Sequence, residues 1–250
     1  MLRSNKILLY LFSFIGLIIL WQIVSTLVSS EVFPAPFPVI KQFFNELTQI
    51  KFWQNTYSSL FRIIAGLALA FITAAPIGLL LGSSPKFDKW FSPIIYISYP
   101  IPKIILLPVI LLIFGLGNWS KVILIAIIVF FQLLITTRDS ARLIDNNIKY
   151  SFWSLGGNKL QYFRNIVWPA SLPGIFTALR IGVGTAVAVL FFVESISARS
   201  GLGMYIIDAW GRADYVSMFV GMITLSLIGI ILYEIFDLLE KITCKWKIVV

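Results

Sequence analysis

Residues 58–82 read SSLFRIIAGLALAFITAAPIGLLLG, and this stretch decides the fold class. Arg62 stands near its start, and no other charged residue follows within the stretch. At about 1.5 Å of rise per residue, a helix of this length can cross a hydrocarbon core roughly 30 Å thick. The stretch therefore predicts a membrane-spanning helix.

Apolar stretches of the same kind recur along the chain, separated by short polar segments. They cover residues 7–28, 91–116, 122–137, 178–196 and 215–239. The whole chain of 250 residues is 59% hydrophobic and 12% charged, which is more apolar side chain than one globular core can bury. We therefore predict an all-α, polytopic membrane protein with about six transmembrane helices, forming a single domain over residues 1–250.

The first apolar stretch follows Arg3 and Lys6, which is the charge pattern of a signal peptide. It is too long for the apolar region of a usual cleaved signal, so we interpret it as a retained signal-anchor helix. Residues 32–57 contain three prolines followed by an aromatic-rich, charged stretch, which predicts a loop and an amphipathic surface helix.

Composition excludes several classes of chemistry. The chain contains no histidine, and Cys244 is its single cysteine, so disulfide frameworks, zinc clusters and bis-histidine haem sites are excluded. The net charge of +9 is spread between the apolar stretches and forms no dense patch. We therefore expect no resident cofactor or metal and no binding of nucleic acid.

Lysine and arginine counts predict the orientation, because basic loops stay on the cytoplasmic side. With both termini inside, the inner segments carry the larger basic set: Arg3, Lys6, Lys86, Lys89, Arg138, Arg142, Lys149, Lys159, Arg164, Lys241, Lys245 and Lys247. The outer loops then carry the smaller set: Lys41, Lys51, Lys121, Arg199 and Arg212. An even number of spans with both termini in the cytoplasm is therefore predicted.

Small residues recur at every fourth position of the second span: Gly66, Ala70, Ala74, Gly78 and Gly82. Such a stripe allows two helix backbones to approach closely. It is typical of a seam near a translocation path or subunit interface, and equally of tight packing within one chain. Gly78 is our candidate for the path from this stripe.

The third span contains four prolines, at positions 93, 100, 102 and 108, which remove backbone donors and should kink or interrupt the helix. Interrupted helices at membrane depth usually line cavities. Pro100 and Pro102 are therefore candidates for the translocation path.

For two ionisable residues in or near the spans, the sequence allows two interpretations of where the side chain lies. Lys103 either faces a pore or reaches towards the membrane surface along its own helix. Glu194, near the end of the fifth span, has the same two readings. Both are candidates for the path, whereas Arg62 is interpreted as an interfacial anchor.

Residues 138–177 form the longest predicted cytoplasmic segment, and they are too apolar for a solvated loop. Bulky apolar residues at helical spacing flank Gly156 and Gly157, which predicts a helix, a glycine turn and a second helix ended by Pro169 and Pro173. Such an apolar hairpin indicates a docking surface for a protein, or a helix pair that lies on lipid.

The same segment resembles the inner-membrane permease subunits of binding-protein-dependent ABC importers, especially the nitrate, sulfonate and taurine branch. The resemblance rests on LGGN at residues 155–158 and on IVWPASLPGI at residues 166–175, followed by Ala178, Leu179 and Arg180. In the family's EAA loop a glycine is followed at fixed spacing by an isoleucine, a leucine and a proline. Gly156, Ile166 and Pro169 keep this spacing, while Trp168 replaces the leucine.

Further matches to the family extend over almost the whole chain: SLFRI at 59–63, PIG at 76–78, PIP at 100–102, FGLG at 114–117, Glu194, and SGLG at 200–203. One departure is clear. Tyr150, Ser151 and Phe152 stand where the family usually has Glu-Ala-Ala. This departure implies a partner ATPase with an altered docking surface, or a heterodimer with a more typical second permease.

The resemblance implies a type I ABC importer permease fold in a bacterial inner membrane, and a subunit that transports a small solute without being an enzyme. It implies four kinds of partner: a cytoplasmic ABC ATPase dimer, a second permease copy or paralogue, an extracytoplasmic substrate-binding protein and the lipid bilayer. It assigns ATPase coupling to these residues: Tyr150, Ser151, Phe152, Trp153, Leu155, Gly156, Gly157, Ile166 and Pro169.

The chain lacks the phosphate-binding pattern GxxxxGK[ST], so ATP is expected to bind to the partner subunit. The implied cargo is a nitrate-, sulfonate- or taurine-like anion, or a heterocycle resembling a vitamin precursor. The alternative is a secondary transporter or channel that uses Lys103 and Glu194 directly, although these groups are too few for a convincing ion relay. A membrane-embedded hydrolase would need a Ser/Lys or carboxylate pair, and no spacing suggests one.

Overall fold

The computed structural model describes residues 2–28 and 31–246. Its α-helices are α1 (Leu2–Val28), α2 (Pro36–Glu46), α3 (Ile50–Ser83), α4 (Pro85–Ser98), α5 (Leu107–Phe114), α6 (Asn118–Arg142), α7 (Asn146–Ser154), α8 (Lys159–Tyr162), α9 (Trp168–Ser197), α10 (Leu202–Gly211) and α11 (Tyr215–Thr243). A 3₁₀ turn, Lys103–Leu106, precedes α5, and a π turn, Phe163–Val167, joins α8 to α9. The inner position predicted for Lys247, and the side chains of Arg3 and Lys6, lie outside the described part.

Among the described residues, four helices are long and apolar enough to cross a membrane: Ile50–Ser83, Asn118–Arg142, Lys159–Ser197 and Tyr215–Thr243. A fifth span is formed if α4 and the Lys103–Phe114 helix count as one, although they are bent by 80°. Within α1, residues Ile15–Val28 form a shorter apolar helix. The six predicted stretches lie on these elements, and the expectation of an all-α polytopic membrane protein is confirmed.

Helices α3, α6 and α9 form the centre of the bundle, and the small-residue stripe of α3 explains how closely they pack. A Cβ atom on Gly66 would lie 2.6 Å from Ile125, and one on Gly78 would lie 2.8 Å from the carbonyl oxygen of Leu134. Both partners belong to α6. The stripe therefore serves tight packing within one chain, which is one of the two alternatives that the sequence leaves open.

The predicted interruption of the third span is confirmed at Pro100 and Pro102. Helix α4 ends at Ser98, and the chain bends before the turn Lys103–Leu106. The Lys103 ammonium spans the bend because it donates to the carbonyl oxygens of Ser98, at 2.8 Å, and Tyr99, at 2.6 Å.

The second hairpin helix does not end at Pro169 and Pro173, so this expectation is wrong. Residues Lys159–Ser197 form one long helical segment, within which Pro169 occupies the first turn of α9 and Pro173 lies inside α9. The π turn directly before α9 interrupts the regular hydrogen-bond pattern, so the missing amide donor of Pro169 is accommodated there. The fifth span is thus continuous with the hairpin.

The bundle has two ends, which we name after their central residues. At the Gly156 end lie the α7–α8 hairpin, the last turns of α3, α6 and α11, and the first turn of α9. At the Glu194 end lie α2, α10, the first turns of α3, α6 and α11, and the last turn of α9. Trp21 and Ser25 fasten α1 there, through hydrogen bonds to Pro34 and Phe33.

Candidate functional site

The hairpin at the Gly156 end has a cap at the start of each helix. The side chain of Asp145 accepts a hydrogen bond from the Asn147 amide at 2.9 Å, which satisfies an unpaired donor of α7. Asn158 and Gln161 form a reciprocal capping box at the start of α8, with both hydrogen bonds at 2.9 Å. Local sequence therefore defines where both helices begin.

The turn between the helices is a Schellman motif formed by Gly156 and Gly157. The Gly156 amide donates to the Trp153 carbonyl at 3.0 Å, and the Gly157 amide donates to the Phe152 carbonyl at 3.4 Å. Gly156 has φ +78°, a conformation that side chains with a Cβ rarely adopt. The positive φ angle at this position therefore explains why the family has a glycine there.

Gly157 leaves room for the ring of Phe152. A Cβ atom at residue 157 would lie 2.2 Å from the ring of Phe152. The same ring packs against Trp153 and Tyr162, each with ring centroids 5.7 Å away. The bulky residue that stands in place of the family's alanine is therefore accommodated inside the hairpin, between its two helices.

The outward face of the hairpin is apolar and exposed. Leu155 is 87% exposed and Tyr150 69% exposed, and Trp153, Ser151 and Gly156 are also exposed. Phe152 and Gly157 are half-buried inside the turn. The structure thus brings the predicted coupling residues of the turn together on one small projection.

Ile166 and Pro169 connect this projection to the bundle. Ile166 lies in the π turn, Pro169 lies in the first turn of α9, and both are half-buried. The adjacent Val167 is fully buried in the core. A displacement of the hairpin would therefore act directly on the start of α9.

Ion pairs hold the helices together near the hairpin. Arg138 of α6 donates to both carboxylate oxygens of Asp88 in α4, with the Nη2–Oδ2 distance at 2.8 Å, and also to Ser92. Arg180 of α9 pairs with Glu240 of α11. Neither pair has a local signal in the sequence, where Arg138 is only an inner basic residue, because each pair joins residues far apart in the chain.

The predicted path residues fall into two groups. Pro100 and Pro102 are exposed and Lys103 is half-buried, all at the bend between α4 and α5. Gly78 is buried between α3 and α6, and Glu194 is 1% exposed. The structure therefore brings Pro100, Pro102 and Lys103 together and places the other two inside the chain.

Glu194 is the centre of a buried polar cluster. Its carboxylate accepts hydrogen bonds from Arg62 Nη1 at 2.5 Å, from Ser59 Oγ at 2.8 and 2.9 Å, and from the Gly203 amide at 2.8 Å. Gly201, at φ +124°, leaves the space that the carboxylate fills, because a Cβ there would lie 2.4 Å from it. The cluster thus fixes the turn before α10 onto α3 and α9.

Arg62 uses its remaining donors within the same cluster. It donates to Asn118 Oδ1 at 2.8 and 2.9 Å, to the Ser200 carbonyl at 2.7 Å and to Ser200 Oγ at 3.1 Å. It is 3% exposed, so the interpretation as an interfacial anchor is wrong. Its partners come from distant parts of the chain, which local hydropathy does not reveal.

Lys121, predicted to lie in an outer loop, lies in the first turn of α6 and is fully buried. Its ammonium donates to the carbonyl oxygens of Leu116 at 2.6 Å and Ser197 at 3.0 Å. It thereby fastens the end of α9 to the connection between α5 and α6.

The family model for "Binding-protein-dependent transport system inner membrane component" matches residues 66–243. The chain belongs to this family. The match includes the α7–α8 hairpin, Glu194 and the bent segment, which consists of α4, the turn Lys103–Leu106 and α5. The resemblance stated from the sequence motifs is therefore confirmed.

Curated relatives of this permease include transporters for different solutes. It is 28% identical over 248 residues to the formylaminopyrimidine transport permease protein ThiX of Halalkalibacterium halodurans, covering 99% of both chains. It is 32% identical to the riboflavin transport system permease protein RibX of Chloroflexus aurantiacus, covering 92% of this chain and 87% of that one. It is 29% identical to the taurine transport system permease protein TauC of Escherichia coli, covering 82% of this chain and 78% of that one.

A solved structure shows the same fold as this permease. A chain from an inward-facing crystal form of the MetNI methionine ABC transporter superposes with a TM-score of 0.68 at 20% sequence identity. The superposition covers 78% of this chain and 97% of that chain. The predicted type I importer permease fold is therefore confirmed.

Proposed function

We propose that this permease forms the translocation path of an ATP-driven importer and receives its energy through the α7–α8 hairpin. The observation that carries the proposal is the exposed apolar projection around Leu155, which continues through Ile166 and Pro169 into α9. An apolar surface on a rigid projection suits a protein groove. Movement of the hairpin by a partner would reach α9 without passing through a flexible loop.

The division of labour follows from what the sequence lacks. Without the GxxxxGK[ST] pattern, this chain transports but is not an enzyme, and ATP binds to a separate cytoplasmic ATPase dimer. We expect this chain to bind no cofactor of its own during transport. Closure of the ATPases around nucleotide would draw two hairpins together and switch the path between inward-open and outward-open states.

The orientation follows from the basic residues. The Gly156 end carries Lys86, Lys89, Arg142, Lys149 and Lys159, so we place it in the cytoplasm together with both termini. A substrate-binding protein then docks at the Glu194 end, where α2 and α10 lie. A second permease, identical or paralogous, completes the path.

The cargo is a small solute delivered by that binding protein. Relatives whose names specify taurine, riboflavin and formylaminopyrimidine support a small anion or a heterocycle of the vitamin-precursor type. Tyr150 and Ser151 are exposed where the family usually has Glu-Ala, and Phe152 fills the inside of the turn in place of the second alanine. We therefore expect the ATPase that the hairpin contacts to have a matching apolar groove, or the second permease to supply the more typical hairpin.

Purification of the tagged chain from its native membrane tests the proposal. We expect a cytoplasmic ATPase to co-purify, and Trp153→Asp or Leu155→Asp to abolish its recovery by burying a charge in the contact. The matched control is Trp210→Asp, at a residue of α10 that is 60% exposed at the opposite end. It should retain the ATPase.

Recovery of the folded chain alone, active in transport without an ATPase, would overturn the proposal. It would favour the secondary transporter or channel, in which Lys103 and Glu194 act directly. Loss of the ATPase with Trp210→Asp but not with Trp153→Asp would contradict the assignment of the hairpin.

A further inference from the structure

A groove of about 320 Å³ lies where the bent segment meets α6 and α9. Its walls are almost wholly apolar and include Pro102, Ile128, Ala188 and Phe192, and Lys103 is the charged residue that lines it. Ile128 lies near the middle of α6, whereas Ala188 and Phe192 lie in the last three turns of α9. The groove therefore combines apolar walls with one charged side chain.

Lys103 has a charge that the surrounding protein does not neutralise. Two of its three N–H donors bind the carbonyl oxygens of Ser98 and Tyr99, and its ammonium lies 4.3 Å from the ring centroid of Phe131. Within residues 2–28 and 31–246, no carboxylate forms an ion pair with it. A cation held in this way keeps one donor available for an anion.

A second polar group lies next to the groove on the same face. Gln132 follows Phe131 on α6, and its side-chain oxygen accepts a hydrogen bond from Thr185 of α9 at 3.3 Å. Both side chains are half-buried, and each lies about one helical turn from a lining residue, Ile128 or Ala188. The amide donors of Gln132 thus supplement Lys103 on a face that is otherwise apolar.

We propose that this groove binds the anionic group of the cargo during its passage, and that the cargo is a small organic anion. A sulfonate or carboxylate group would take the free N–H of Lys103, and a short carbon body would lie against Ile128 and Phe192. A neutral heterocycle would gain no ion pair with Lys103. This inference rests on the proposed function and narrows its cargo to the anionic class.

Lys103 could instead only cap the end of α4, and the two roles differ in a measurable way. A cap needs the two carbonyl contacts alone, whereas an anion site also attracts negative probes into the groove. Cys244 is the single cysteine of the chain, so a Cys244→Ser background allows one cysteine to be introduced at the exposed wall residue Ala188. Lys103 stays intact in that variant.

The experiment compares two thiol reagents of opposite charge on the complete transporter in nanodiscs. We measure the rates at which Ala188→Cys reacts with 2-sulfonatoethyl and 2-trimethylammonioethyl methanethiosulfonate, without nucleotide and with ATP and vanadate. The same ratio at Val32→Cys, at the Glu194 end, serves as reference. We expect the sulfonate reagent to be favoured at Ala188→Cys by at least about tenfold over the reference.

Substitutions of Lys103 complete the test. Lys103→Met should remove the preference, and Lys103→Arg should keep it, because only the charge is needed. An equal ratio at both cysteines, a preference that survives Lys103→Met, or no reaction at Ala188→Cys in either state would overturn the inference. An ATPase that co-purifies while the charge preference is missing would overturn this inference alone and leave the proposed function standing.

Discussion

Glu194 and Arg62 are separated by 132 residues in the chain and form an ion pair of 2.5 Å that is almost completely shielded from solvent. The pair joins the last turn of α9 to the fourth turn of α3, and Asn118 and Ser200 bring α6 and the turn before α10 to the same guanidinium. Four segments thus meet at one charge pair. Its integrity decides whether the Glu194 end is held as one unit.

Removal of one partner should be strongly destabilising. We expect Glu194→Gln and Arg62→Met each to lower the free energy of unfolding by about 3–5 kcal/mol, because each leaves the remaining partner as an uncompensated buried charge. SDS-induced unfolding in mixed micelles measures the change. The control is Arg212→Met, which breaks an exposed pair with Asp208 and should cost no more than about 0.5 kcal/mol. Equal, small effects in all three variants would contradict a structural role for the buried pair.

Phe152 and Gly157 should behave as a coupled pair. Gly157→Ala places a methyl group 2.2 Å from the ring, so we expect faster hydrogen exchange at the amides of the turn. Adding Phe152→Ala removes the clash and should restore part of the protection, with a coupling of about 0.5–3 kcal/mol. Exchange measured by mass spectrometry checks this. Strictly additive effects would show that the ring does not occupy the space above Gly157.

Gly82 and Gly184 should respond in opposite directions to the same substitution. A Cβ on Gly82 would lie 2.2 Å from the backbone carbonyl of Arg138, which cannot move aside as a side chain can, so Gly82→Ala should separate α3 from α6. Gly184 has open space around it, and Gly184→Ala should stabilise α9 by about 0.5–1 kcal/mol. The same unfolding titration compares them. If Gly82→Ala were neutral, the close approach of α3 to α6 would be incorrect.

The elements that were predictable from the sequence are those with a local signal. Continuous apolar runs gave the long helices, prolines gave the bend before Lys103, and paired glycines gave the hairpin turn. Each of these depends on residues that are neighbours in the chain. The same signals were misleading at Pro169 and Pro173, because the helix continues past both: a π turn directly precedes α9, and Pro173 lies inside α9.

The polar contacts could not be predicted in the same way. Hydropathy treats Arg62 and Lys121 as charges that belong at a surface, yet both are buried because their partners arrive from other helices. The sequence identified Glu194 as unusual within its span but contained no information about which side chain it faces. Tertiary structure was needed for those pairs, and the functional assignment of the hairpin came from motif spacing.

Gly156 offers the sharpest separation of coupling from folding. Gly156→Val forces a β-branched residue into φ +78°, so we expect the Schellman turn to distort while the spans insert normally. In the reconstituted transporter, ATP hydrolysis should continue while uptake falls by at least about tenfold. This fall corresponds to a loss of about 1.4 kcal/mol or more of coupling free energy between the hairpin and α9. The control is Gly16→Val in α1, where a Cβ meets open space and which lies outside both proposed docking surfaces. Unchanged uptake by Gly156→Val, at normal expression, would mean that the energy of ATP hydrolysis enters the permease elsewhere than through this turn.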